Sequence, residues 1–164
     1  VFEGVGGFEE SLARNQDTEF FGRVKAAGFR VLLDPSVRSV YLARGTLGGL
    51  LRQGFLNAYW NMLVWRRAPH SFQWRHAVPA AFTATLLLLA ALSLGWKPAR
   101  IVLLGVLALH FLAATLAALQ IGLRSRRLAS LLLPPIFFAY HFTYGLGSIA
   151  GLRWLTGYQE GPSD

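Results

Sequence analysis

The polar chemistry of this chain is concentrated near its start, where Gly6-Gly7-Phe8-Glu9-Glu10 is followed by Asn15-Gln16-Asp17-Thr18-Glu19. Adjacent glycines let a backbone turn tightly or approach a ligand closely. A carboxylate set behind such a turn can take a proton from a hydroxyl. A second group is basic: Arg44, Arg52 and Gln53 are residue types that contact a pyrophosphate or a lipid phosphate, although arginines beside apolar runs also snorkel to the membrane interface. His110 and His141 stand within apolar stretches, where an ionisable group is expensive and raises a functional hypothesis. Neutral histidines hydrogen-bonded between helices, with Tyr144 or Gln120 as partners, are the structural alternative. No two histidines have metal-ligand spacing, and a chain without cysteine has neither disulfides nor thiolate metal sites, so no metal is expected among these residues.

The elements that must position these groups divide near Ala77. The chain has 164 residues, 54% of them hydrophobic, and a mean hydropathy of +0.41, too apolar for an ordinary soluble domain. After Ala77 come three apolar runs, 77–95, 101–123 and 128–152, each near the roughly 20 residues that cross a hydrocarbon core. Short polar turns separate them, which predicts three transmembrane helices in an up-down series. The net charge of +8 comes mainly from arginines scattered before the first run or flanking the others. Anionic headgroups account for these, and no nucleic-acid partner is expected. Arg66, Arg67, Arg75, Arg124, Arg126 and Arg127 fall on one side of the predicted membrane and Lys97, Arg100 and Arg153 on the other. This bias places the N-terminal region in the cytosol and residues 156–164 in the opposite compartment.

Within the polar half, the spacing predicts a helix over residues 16–27, with acids in the first turn, bases in the last and Gly28 beyond the end. Residues 29–33 and 37–42 read as extended strands joined by the turn Asp34-Pro35-Ser36. Residues 46–67 carry Leu47, Leu50, Leu51, Phe55, Tyr59, Met62 and Leu63 at helical spacing, which predicts an amphipathic helix at the membrane surface. The late Gly147-Ser148-Ile149-Ala150-Gly151 is a small-residue face for close helix packing, within one chain or between two.

In their order and spacing these segments resemble the C-terminal part of the catalytic domain of family 2 glycosyltransferases. The resemblance rests on Gly6-Gly7-Phe8-Glu9-Glu10, on Gln16-Asp17 opening a helix that ends Ala27-Gly28-Phe29-Arg30, and on the turn containing Pro35. Ala43-Arg44-Gly45-Thr46-Leu47, Leu51-Arg52-Gln53 and Tyr140-His141-Phe142-Thr143-Tyr144-Gly145-Leu146-Gly147-Ser148 are similar to the bacterial exopolysaccharide branch with membrane helices. The resemblance implies an α/β fragment of a GT-A domain over 1–45, an interfacial helix and linker over 46–76, three transmembrane helices over 77–152, and a polar tail over 153–164. It implies inverting transfer of a sugar from a nucleotide diphosphate donor to a glycan or lipid-linked acceptor, in the inner (plasma) membrane with the catalytic region cytoplasmic. Asp17 would be the general base, and Gly6, Gly7, Phe8 and Gln16 would border the acceptor.

The chain departs from the family pattern in three ways. Gln16 stands where glutamate is usual. The Gln-x-x-Arg-Trp motif of processive members is absent, which implies single addition. No Asp-x-Asp occurs, so the Mg²⁺ or Mn²⁺ expected in a complete enzyme has no binding motif here, and the chain alone is expected to be an incomplete, inactive fragment. Two other classes stay open: a non-catalytic membrane scaffold derived from such an enzyme, and a small transporter subunit using His110 and His141.

Overall fold

The computed structural model describes residues 1–71 and 74–156. Six α-helices follow in order: α1 (Phe2–Val5), α2 (Gln16–Ala26), α3 (Leu47–Arg67), α4 (Val78–Leu92), α5 (Lys97–Ser125) and α6 (Leu133–Gly151). Short 3-10 turns occupy Pro69–Ser71, Trp74–His76, Leu128–Leu132 and Leu152–Thr156.

The helix expected over 16–27 forms as α2. Asp17 and Glu19 lie in its first turn, and Arg23 and Lys25 in its last, each set complementing the helix dipole. At its end Gly28 takes a φ of +84°, the Phe29 N–H donates to the Val24 carbonyl and the Gly28 N–H to that of Lys25. This is a Schellman closure, which favours glycine in the left-handed position.

The two expected strands do not form, and this overturns the α/β reading: the described residues contain no strand and no sheet. Residues 29–45 form no regular element apart from a turn, with Leu32 and Leu33 each 88% exposed. The turn between them forms, with Asp34 Oδ1 accepting from Ser36 N at 2.9 Å and from Ser36 Oγ at 2.7 Å. An extended segment becomes a strand only when a neighbour completes its N–H and C=O ladder, and a lone hairpin is marginal in water. Alternation of residue types specifies a surface, and no second surface packs on it here.

α3 begins at Thr46, whose hydroxyl accepts from Gly49 N at 3.1 Å, and ends in Arg66 and Arg67. It packs along α6 rather than standing alone. Gly54 lies under the Tyr140 ring, Gly147 against the Phe55 carbonyl, and Gly151 against the Tyr59 carbonyl and Met62. A Cβ at Gly147 would overlap the α3 backbone, so the small-residue face serves packing within this chain. α6 meets α4 on another side, where Gly145 sits against Thr83 and the Pro79 carbonyl, and Thr83 Oγ1 donates to the Phe142 carbonyl at 3.2 Å.

Two helical segments, Trp74–Leu92 and Lys97–Ser125, are long and apolar enough to cross a membrane. Their mean hydropathies are 1.4 and 2.4, and only 11% of either window is buried by protein. Both present apolar surface outward, as lipid-facing helices do. The third expected span is corrected. Residues 128–132 form a 3-10 turn before Pro134-Pro135, and α6 is not among the candidate spans. Tyr140, His141, Thr143, Tyr144 and Ser148 interrupt its apolar run, and Tyr144 and Gly147 bind it to α3.

The end of this helix returns to the start of the chain. Leu12, Met62, Leu63, Val64 and Trp154 form a buried cluster, and Arg66 donates to the Trp154 carbonyl at 3.0 Å. Trp154 thus packs against the N-terminal head. Residues 157–164, most of the expected polar tail, lie outside the described residues.

Candidate functional site

The head is assembled around α2 by one ion pair. Arg23 donates to the buried Glu19 carboxylate from Nε at 2.6 Å and from an Nη at 2.9 Å. Its remaining donors take the Val5 carbonyl and, at 2.6 Å, the Gly7 carbonyl. The Glu19 carboxylate raises the Arg23 pKa further, chiefly through this hydrogen bond. Gly6 turns with a φ of +79°, and a side chain there would be strained as well as close to the Arg23 guanidinium. Phe8, expected at the acceptor, packs with Phe20 at 4.8 Å and Phe2 at 6.1 Å between ring centroids, yet remains half exposed.

Asp17 is exposed in the first turn of α2, and its Oδ1 accepts from Thr18 N at 2.9 Å. The residues before it hold that turn against α3. Asn15, in a left-handed conformation, donates to the Asn57 carbonyl at 2.8 Å and to Asn61 Oδ1 at 2.7 Å. Arg14 donates to Asn57 Oδ1 at 3.2 Å, and Asn61 donates onward to the Tyr144 hydroxyl of α6 at 2.8 Å. Gln16 donates from Nε2 to the Leu12 carbonyl at 2.6 Å. A polar chain therefore runs from the Asp17 turn through α3 into α6.

A cavity of about 540 Å³ opens along one face of α2, lined by Thr18, Phe21, Lys25, Ser71, Arg75 and His76 among others, with Asp17 outside its lining. Gly6 and Gly7 do not meet Asp17 directly. Gly7 is fixed instead by the Arg23 guanidinium, the group that also holds the Glu19 carboxylate.

Arg44, Arg52 and Gln53 do come together. They line a cavity of about 160 Å³ with Gly49 and with Arg14, which the sequence did not single out. Arg14 has no local signal of its own, because its place depends on the Asn57 contact. Arg23 was also missed as a site-building residue, although its i, i+4 spacing from Glu19 was visible. The acids of the head do not make a cation site. Glu19 is committed to Arg23 and Glu9 to Ser11 and Arg67, and the described residues contain no group of three His, Cys, Asp or Glu that could hold a metal. The Mg²⁺ or Mn²⁺ implied by the resemblance therefore has no fitting ligands here.

His110 and His141 also meet, with ring centroids 5.7 Å apart, and line a cavity of about 160 Å³ with Val78, Pro79 and Phe82. Their neighbours are rings rather than the expected Tyr144 or Gln120: Phe82 stacks on His110 at 4.9 Å, and Phe138 meets it edge-on. No acidic residue occurs in α4, α5 or α6, so a carboxylate relay between these helices is absent. Comparison of the chain with family models, curated proteins and solved structures gives no match in any of the three, so the function of the site has to be argued from its own residues.

Proposed function

We propose that these residues supply the acceptor side and the membrane anchorage of an inverting glycosyltransferase. A sugar passes from a nucleotide diphosphate donor to a hydroxyl of a glycan or lipid-linked acceptor, and Asp17 takes the hydroxyl proton as the new glycosidic bond forms. The setting of Asp17 carries the reading: an exposed carboxylate on a helix start tied to α3 through Asn15. A base held within hydrogen-bond reach of a poor nucleophile contributes about 10²–10⁴-fold. Fixing the helix start rather than the carboxylate itself leaves the reactive oxygen free to meet substrate.

No step is assigned to the donor's nucleotide or to a divalent cation. The protein sits in the inner (plasma) membrane with the hairpin of α4 and α5 crossing it. The head, Arg124–Arg127 and Trp154 then share the cytosolic side, where arginine-rich segments are retained and nucleotide sugars are made.

The test uses membranes from cells expressing the natural gene, incubated with a panel of labelled nucleotide sugars. Label should enter a lipid-extractable or polymeric fraction, above the level in membranes lacking the protein. No incorporation from any donor in the panel would contradict the assignment.

A further inference from the structure

Three arginines from three separate segments converge on one small cavity. Arg14 comes from the loop before α2, Arg44 from the extended segment leading into α3, and Arg52 from the second turn of α3; Gly49 and Gln53 complete the lining. No carboxylate lines the cavity, and α3 has no acid in its first turn. The two ion pairs among the described residues, Glu19–Arg23 and Glu9–Arg67, use other arginines. Arg14 is steadied by Asn57, and Gln53 donates to the Tyr41 hydroxyl at 3.0 Å, so the floor is ordered by neutral groups that neutralise none of the charge.

Converging like charges repel, and an anion placed among them relieves that repulsion. Guanidinium groups match phosphate oxygens through paired N–H donors. The volume admits a small anion. About 160 Å³ corresponds to roughly five waters at ~30 Å³ each, enough for a phosphate or diphosphate group together with water. Charge selects further, because a phosphodiester carries a single negative charge, whereas a phosphomonoester carries about −1.5 to −2 near neutral pH.

We propose that Arg14, Arg44, Arg52 and Gln53 form a binding site for a phosphomonoester or diphosphate group. The group can arrive on a soluble molecule or on a lipid headgroup. Binding is read without turnover, so the outcome does not depend on whether Asp17 acts in sugar transfer.

The experiment uses the whole chain in nanodiscs of neutral phosphatidylcholine, with inorganic pyrophosphate titrated by calorimetry. Arg44→Gln and Arg52→Gln should each weaken binding by about 10-fold or more, the range for losing a charge-assisted hydrogen bond. Both side chains are exposed, and hydrogen exchange of α2 and α3 should confirm unchanged folds. A paired Arg126→Gln, Arg127→Gln variant removes charge from a distant loop and should leave binding within about 2-fold, since screened charges beyond ~10 Å contribute little. Discs containing phosphatidic acid, a lipid phosphomonoester, are compared with discs containing equal phosphatidylglycerol, a phosphodiester. Selective weakening of pyrophosphate binding by phosphatidic acid assigns the site to a lipid headgroup, and equal affinity in both discs assigns it to a soluble phosphate. No pyrophosphate binding at millimolar concentration in neutral discs, or equal losses in the pocket and loop variants, would overturn the proposal.

Discussion

Replacing Gln16 by glutamate, the residue that the resembled family carries there, should loosen the head at neutral pH. Gln16 Nε2 donates to the carbonyl of Leu12, whose side chain is fully buried against α3 and Trp154. A carboxylate in that position cannot donate, and it faces the carbonyl oxygen with one of its own. Losing the hydrogen bond costs about 0.5–1.5 kcal/mol, and leaving a buried acceptor unmatched costs about 1–3 kcal/mol. Gln16 is only half-buried, so the new carboxylate can turn to water and the net loss should be about 1–2 kcal/mol. That corresponds to a rise of roughly 5–30-fold in the open population of the head. Hydrogen exchange of α2 amides reads it directly, for example at Glu19 N–H, which donates to the Asn15 carbonyl at 3.1 Å. The pH dependence has a definite sign. The charged form is disfavoured beside the carbonyl, so the folded pKa of the introduced carboxyl is raised. Its favourable contact is therefore complete below the unfolded pKa and is lost as pH rises through the folded one. Gln16→Glu should approach wild-type protection in acid and fall behind it at neutral pH, whereas Gln16→Met should be weakened by a similar amount at all pH values. Wild-type protection of Gln16→Glu at neutral pH, or a loss that grows on acidification, would refute the role given to this amide.

Other outcomes follow from the same contacts. Gly147→Ala forces a Cβ into the Phe55 carbonyl of α3 and should cost about 1–3 kcal/mol, seen as a lowered Tm in detergent; an unchanged Tm would mean that α3 and α6 are not in contact. The Glu9 carboxyl is held below the usual carboxylate range, first by the Ser11 hydroxyl, then by the Ser11 N–H, with Arg67 assisting. The contact it gives the head is complete above the unfolded carboxylate pKa and is lost as pH falls through the lowered one, by under about 1 kcal/mol because the group is exposed. Exchange at residues 9–12 should report this in wild type and not in Glu9→Gln, and acid sensitivity of equal size in both would exclude Glu9. With no native cysteine, single cysteines at Ser11, Leu94, Ser125 and Thr156 can be probed in sealed cells with an impermeant maleimide. Only the Leu94 position should label before lysis, and labelling at Thr156 would restore a third span.

Local signals were legible in the sequence and pairing signals were not. The ends of α2 and the Asp34 turn are each set by residues within a few positions, so their pattern fixed them in advance. Residues 29–42 have the composition of strands, but a strand needs a partner that their composition cannot supply. The third apolar run has enough length, yet its polar residues, Tyr144 to α3 and Thr143 and Ser148 beside them, mark a helix bound to protein rather than to lipid alone. In the candidate site, Arg44, Arg52 and Gln53 were visible as phosphate-binding types near one helix start. Arg14 was not, because a residue some forty positions away places it.

The central claim is that Asp17 removes the acceptor proton. Its carboxylate makes one described hydrogen bond, to the Thr18 N–H, which the amide oxygen of asparagine can still accept, so Asp17→Asn should leave the fold intact. In membranes from cells expressing the natural gene, this substitution should lower kcat for sugar transfer by about 100-fold or more while the KM for the nucleotide sugar stays nearly constant. A variant that keeps most of the wild-type kcat would remove Asp17 from the reaction and contradict the account.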